Sequence, residues 1–221
     1  MKSKIYNLII LDQSGSMSSI CNQAIAGVNE TIGTIKADDR KNSEDCEQFI
    51  SLVAFCGCNT SFIMENVPAQ EAKTITQNDY SPCCSTPLYD AMGMSLTKLH
   101  NLIKDQKAIA SVTIITDGYE NASRRYTSDK VKKSIEKHKK HGWEFVFIGA
   151  NIDAVETAGH FGIGADRAIN YCSDNIGTGK VYDAVAKATV AMRCCSEETF
   201  EEEMCASFAE VNADFNKRGK R

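Results

Sequence analysis

Apolar residues in this chain fall into short runs separated by stretches with helical spacing. Ile5 to Leu11 is one such run, the pattern of a strand buried on both faces of a parallel sheet. After a polar loop from Asp12 to Ser16, Ile25, Val28, Ile32 and Ile35 recur every three or four residues and predict a helix over Met17 to Lys36. Ala37 to Asp45 reads as a charged loop and Phe49 to Phe55 as a second strand. Gly57 to Asn59 is turn-like and Thr60 to Met64 is β-prone, so the third strand returns antiparallel to the second. Gln70 to Cys84 is polar and irregular. Pro87 suits the first turn of a helix whose inner face carries Leu88, Met92, Ser95, Leu96 and Leu99.

Further on, Ala110 to Thr116 is a buried strand that ends at Asp117-Gly118. Thr127 to His141 is a basic helix, Glu144 to Ile148 a strand, Ile152 to His160 a short helix and Arg167 to Tyr171 a last short strand. Lys180 to Arg193 and Glu197 to Phe215 read as two more helices. This alternation predicts an α/β fold of Rossmann-like type, an open, mostly parallel sheet with one antiparallel edge strand and helices on both faces. With 221 residues the chain fits one domain or at most two small ones. Residues 1–172 are expected to form the α/β domain, and 173–221 to be a C-terminal helical extension packed on it or continuous with it.

Open α/β sheets bind ligands at the carboxyl ends of their strands, where the strand order reverses. Three loops here carry oxygen-bearing side chains to such positions: Asp12-Gln13-Ser14-Gly15-Ser16, Ser85-Thr86-Pro87 and Thr116-Asp117-Gly118. If the strand ending at Thr116 lies beside the first strand, the three loops meet. The candidate ligands Asp12, Ser14, Ser16, Thr86 and Asp117 are two carboxylates and three hydroxyls, a set suited to Mg²⁺, or to Mn²⁺ or Ca²⁺. Taken singly, each segment also reads as a helix cap or a turn.

Asp12-Gln13-Ser14-Gly15-Ser16-Met17 resembles the first motif of the metal-ion-dependent adhesion site of von Willebrand factor A domains. Ser85-Thr86-Pro87-Leu88 resembles its threonine motif and Thr116-Asp117-Gly118 its aspartate motif, and their order and strand placement agree. The resemblance covers about Lys4 to Tyr171. It implies Ser14, Ser16 and Thr86 as direct ligands, and Asp12 and Asp117 as direct or water-mediated ones. It also implies a binding module in which a Glu or Asp of a partner protein fills an open coordination position. Phe147-Ile148-Gly149-Ala150-Asn151 and Ala165-Asp166-Arg167 are similar in flavour to the bacterial and phage cytoplasmic branch of the family.

The alternative is a metal-dependent hydrolase or phosphotransferase using the same loops. A nucleophilic serine needs an adjacent base, and no histidine lies near these motifs in sequence. A phosphorylated aspartate would commonly want a second acid where Ser14 stands.

The remaining composition changes little. The net charge of −4, with 43% hydrophobic and 24% charged residues, describes an ordinary globular chain and no general nucleic-acid binder. The lysines of 127–141 read as a solvated helix face. No signal segment and no apolar stretch long enough to span a membrane is visible, so a cytoplasmic protein is expected. The ten cysteines are then expected to be free thiols and mostly small buried hydrophobes. A zinc site from Cys56, Cys58, Cys83 and Cys84 lacks the usual ligand spacing.

Overall fold

The structure is a computed structural model that describes residues 2–106, 108–150, 152–171, 177, 180–181, 184–185 and 197–218. Six strands form one sheet: β1 Ser3–Asp12, β2 Cys46–Phe55, β3 Thr60–Pro68, β4 Ala108–Thr116, β5 Trp143–Ala150 and β6 Ala168–Tyr171. Their order is β3-β2-β1-β4-β5-β6, and every pairing is parallel except β2 with β3. The expected α/β sheet with one antiparallel edge strand is therefore present. The chain builds outward from β1 to β3 on one side, then returns to add β4 on the other. The order thus reverses between β1 and β4, whose register sets Leu11 opposite Ile115.

Alternation along β1 divides the core. Ile9 and Leu11 face the layer of helix α1 (Cys21–Lys41), together with Val28, Ile32 and Ile35. Leu8 and Ile10 face the layer of α2 (Leu88–Ile103), α3 (Ser128–Lys139) and α4 (Ala154–His160), with Leu96, Val131 and Ala158. The C-terminal helix Glu197–Arg218 joins the α1 layer through Phe208 and Val211. Its Asn212 bonds the sheet edge directly, with Oδ1 accepting from Asn170 N at 2.8 Å and Nδ2 donating to Ala168 O at 3.1 Å. Of the expected helix over Lys180 to Arg193, residues 180–181 and 184–185 are helical and the rest lies outside the described residues.

Several boundaries differ from the sequence reading, for physical reasons. The first helix opens with a 3-10 turn, Gly15–Ile20, and runs on to Lys41 through what reads as a charged loop. Its Asp38 and Asp39 are buried. Asp38 Oδ2 accepts from Gln48 Nε2 at 2.6 Å and Asp39 Oδ1 from Gln48 N at 2.9 Å, so these acids dock the helix end onto β2. The irregular segment before Cys84 is also anchored. Asn29 of α1 grips Ile75, donating to its carbonyl at 2.9 Å and accepting from its N–H at 2.7 Å.

The expectation of ten free thiols does not hold, because Cys58 and Cys84 are joined as a disulfide, with Cα atoms 6.5 Å apart. The β2–β3 turn and the loop ahead of Thr86 touch there, Gly57 N donating to Ser85 O at 2.8 Å. The contact is close: a β-carbon on Gly57 would stand 2.1 Å from Ser85 Oγ and 3.2 Å from Ser85 N, so Ser85 would have to turn and shift to admit one.

Helix α2 is tied to the loop after β4 in the same way. Asp90 accepts from the backbone N–H groups of Arg124, Arg125 and Tyr126 at 2.8–2.9 Å. Burial pushes its carboxyl up, but these donors outweigh that and hold it below its ordinary value. Gly93 of α2 lies against the Tyr126 ring, and a β-carbon there would stand 2.1 Å from ring atom Cδ1. Gly93→Ala should therefore destabilise the protein by about 1–3 kcal/mol through overpacking, although alanine is the better helix former. Urea unfolding midpoints measure this; a variant as stable as wild type would contradict the close packing.

Candidate metal centre

The parallel pairing of β1 with β4 sets Asp12, the last residue of β1, beside Thr116, the last residue of β4. Asp12 is fully buried, and both its oxygens are held. Oδ1 accepts from Ser14 N at 2.7 Å and Oδ2 from Thr116 Oγ1 at 2.6 Å. Thr116 in turn accepts from Gly118 N at 3.1 Å, which shapes the turn after β4. Tyr80 closes the other side, its hydroxyl donating to Asp12 O at 2.5 Å.

The two serines stand above this base. Ser14 Oγ and Ser16 Oγ are 3.2 Å apart, and Ser16 Oγ donates to Asp117 Oδ1 at 2.6 Å. Ser14 occupies the N-cap position of the 3-10 turn but makes no side-chain capping bond. Pro87, not Thr86, is the N-cap of α2, and no side-chain cap bond is made there either. The hydroxyls of Ser14 and Thr86 are thus not spent on capping. Thr86 is buried and clamped by Asn121, which accepts from Thr86 N at 2.8 Å and donates its own N–H to Thr86 O at 3.1 Å.

Gly118 shows how closely the three loops converge. A β-carbon on it would stand 3.3 Å from Thr86 Oγ1, 3.6 Å from Ser16 Oγ and 4.0 Å from Asp12 Oδ2. Oxygens from all three loops border one small volume, which reaches solvent on the side of the exposed Ser16. The five residues singled out in the sequence are therefore brought together. Thr116, Tyr80 and Asn121, which orient them, were not singled out. The only signal for Thr116 was its place beside Asp117 in the motif; Tyr80 and Asn121 had none.

The electrostatics are unbalanced. Burial pushes the Asp12 carboxyl up against its hydrogen bonds from Thr116 and Ser14, and the charge of Asp117 adds to the rise. Burial raises Asp117 as well, opposed by the Ser16 bond. Among the described residues no ion pair reaches either carboxylate. Two buried acids facing three hydroxyl oxygens, with no cationic side chain paired to either among the described residues, fit a hard divalent cation in charge and donor chemistry. The donor set contains no thiolate or imidazole.

No known family's sequence profile matches the chain, and no curated protein matches it. Solved structures do. The von Willebrand factor domain of the type V pili tip protein Mfa5 from Porphyromonas gingivalis superposes with a TM-score of 0.63 at 11% identity, over 89% of this chain and 98% of that one. A von Willebrand factor type A protein from Catenulispora acidiphila gives 0.60 at 15% identity, over 86% and 43%. Proximal thread matrix protein 1 from the mussel byssus, solved with a zinc-occupied metal-ion-dependent adhesion motif, gives 0.58 at 13%, over 86% and 46%. The chain spans about half the length of the mussel protein. Among the described residues no helix is long and apolar enough to cross a membrane. The chain has the fold of a von Willebrand factor A domain.

Proposed function

We propose that this protein is a divalent-metal-dependent protein-binding module whose site is formed by Asp12, Ser14, Ser16, Thr86 and Asp117. The observation that carries the reading is the convergence of oxygens from three loops on the volume beneath Gly118, beside two carboxylates that have no ion-pair partner among the described residues. The adhesion, pilus and matrix proteins that share the fold agree with a binding role. Mg²⁺ is the proposed ion, with Mn²⁺ or Ca²⁺ as equivalents, because every donor is oxygen. When bound, the ion supplies a positive centre with an open position for a Glu or Asp carboxylate of the partner.

The chain's own residues divide that work. Thr116 and the Ser14 N–H orient Asp12 and oppose the rise that burial gives its carboxyl. Asn121 fixes the backbone on both sides of Thr86, so its hydroxyl is positioned before any ion arrives. The exposed Ser16 marks the side from which a partner approaches. A hydrolytic role would need a base on Ser14 or Ser16. The hydroxyl of Ser16 donates to Asp117, and His138 and His141 bond their own helix through Ser134 O (2.7 Å) and Lys137 O (2.8 Å).

Mg²⁺ at about 100 times its Kd should contribute about 2.7 kcal/mol, or a rise in Tm of roughly 5–10 °C for a chain of this size. Asp12→Asn keeps the side chain's size and removes its charge, so it should show little or no rise. Thermal melts with chelator and with Mg²⁺ decide this, and an equal gain in both proteins would remove Asp12 from the site.

The pH dependence has a definite sign. Both folded-state carboxyl pKa values are raised in the metal-free protein, so it loses stability as pH climbs from the ordinary carboxylate range through the raised values. An ion favours the charged forms and reverses this. The Mg²⁺-dependent gain in Tm should therefore shrink as pH is lowered from about 7 toward about 4. A gain that stays constant over that range would contradict the role of the two acids.

Gly118→Ala tests the shared volume. Its backbone does not require glycine, yet the methyl group would crowd Thr86 Oγ1 and lie in contact with Ser16 Oγ. We expect a folded protein with Mg²⁺ affinity lowered about tenfold, a loss of about 1.4 kcal/mol, measured by calorimetry. Unchanged affinity would place the ion elsewhere.

A further inference from the structure

The β2–β3 turn and the loop ahead of Thr86 bring together cysteines that lie far apart in sequence. The Sγ atoms of Cys56, Cys58 and Cys83 all lie within 4.8 Å of one another. Cys56 Sγ and Cys83 Sγ are 3.5 Å apart, and Cys84 is the disulfide partner of Cys58. Four sulfurs from two loops therefore form one cluster. We propose that, once the Cys58–Cys84 bond is reduced, Cys56, Cys58, Cys83 and Cys84 bind a single Zn²⁺ as four thiolates, separate from the oxygen site.

Three observations carry this. In a tetrahedral Zn²⁺ site with bonds of about 2.3 Å, neighbouring sulfurs lie about 3.8 Å apart. The 3.5 Å between Cys56 and Cys83 is close to that spacing and well beyond a covalent bond. A disulfide engages only two of the four sulfurs, whereas one ion uses all of them.

The backbone then explains how such unusual spacings converge. Adjacent side chains of an extended chain point to opposite sides. Cys84 has φ +62°, in the left-handed region that non-glycine residues seldom occupy. That turn breaks the alternation between Cys83 and Cys84. At the other loop, Cys56 N donates to Asn59 O at 2.8 Å and Asn59 N to Cys56 O at 3.2 Å, a tight reversal that folds Cys58 back beside Cys56.

The cluster borders open space. A cavity of about 610 Å³ beside the cluster is lined by Cys56, Cys58, Ser85, Arg124, Arg125 and Tyr126. The same lining carries the Asp90 carboxylate, which Arg125 faces, so the cavity wall is polar and of mixed charge. The chemistry balances. A dithiol donor supplies two electrons and two protons to the Cys58–Cys84 bond and leaves as its own disulfide. The four thiols then release four protons on binding Zn²⁺, leaving a net charge of −2.

The test uses the whole chain, reduced and kept free of oxygen. Zinc content by mass spectrometry should be one ion per chain higher in the reduced wild type than in Cys56→Ser. Replacement by Co²⁺ should give the intense thiolate-to-metal absorption of a tetrathiolate centre, which an all-oxygen site cannot produce. Cys56→Ser and Cys83→Ser should abolish that spectrum, while Cys205→Ser and Asp12→Asn should leave it intact. Reduced protein that takes up neither ion into a sulfur site would overturn the proposal, as would an unchanged Co²⁺ spectrum in both cysteine variants.

Should either cluster variant fail to fold, alkylation of the wild type decides. With Zn²⁺ present, Cys56, Cys58, Cys83 and Cys84 should resist iodoacetamide while Cys205 reacts. Equal modification with and without Zn²⁺ would sink the site. Because the readouts are sulfur-specific, failure here leaves the oxygen site untouched, and failure of the oxygen site leaves this one standing.

Discussion

A carboxylate buried at the end of a central strand must be compensated, and in this fold the side chain in question is Asp12. It is fully shielded, its two oxygens are held by one N–H and one hydroxyl, and its neighbour Asp117 carries the same sign of charge. Neutral donors lessen the cost of burial but do not cancel the charge. The other features of this end of the sheet follow from that constraint. Thr116 and Ser14 fix the carboxylate, Tyr80 ties down its backbone, and Asn121 holds a third hydroxyl in reach. Such preorganisation is useless for a core residue, whose alternative would be an apolar side chain at no electrostatic cost. It is useful for a ligand, because the ion then meets donors already in place.

The fold was largely legible because its central strands are buried on both faces. Ile5 to Leu11 and Ala110 to Thr116 can only be hydrophobic if helices cover them twice, and that requirement alone argues for a parallel sheet. Legibility fails where polar side chains do structural work inside the protein. Asp38 and Asp39 look like solvent-facing loop residues, yet they accept hydrogen bonds from Gln48 and prolong α1 by a turn. Asn29 looks like one polar residue on a helix and in fact fastens the irregular segment at Ile75. Hydropathy registers how much water a residue prefers, not which buried partner satisfies it.

The oxygen cluster was legible for a related reason. Its members sit in three short motifs at strand ends, and strand ends are what the apolar runs locate best. Its supports were not. Tyr80 and Asn121 belong to loops without periodicity, and only the folded chain shows that they meet Asp12 and Thr86. The cysteines mark the limit more sharply. Cys56 and Cys83 are separated by the whole of β3, a 3-10 turn and an irregular segment, so no spacing rule relates them.

The three loops also differ in what steadies them. The loop after β1 rests on its strand through Asp12, and the loop after β4 is bound to α2 through Asp90 and Glu120, the latter accepting from Tyr89 N at 2.8 Å. The Thr86 loop has no strand before it. It leans on its neighbours instead: Cys83 N donates to Gln13 O at 2.8 Å, Gly15 N to Cys84 O at 3.0 Å and Gly57 N to Ser85 O at 2.8 Å. Those bonds make its position depend on both the β1 loop and the β2–β3 turn. The sulfur cluster lies at that same junction, where a cross-link of any kind removes conformations that would carry Thr86 away from Asp12 and Ser16. The least regular of the three loops is thus the one with a covalent tie, as expected where local hydrogen bonding alone leaves a segment the most freedom to lose.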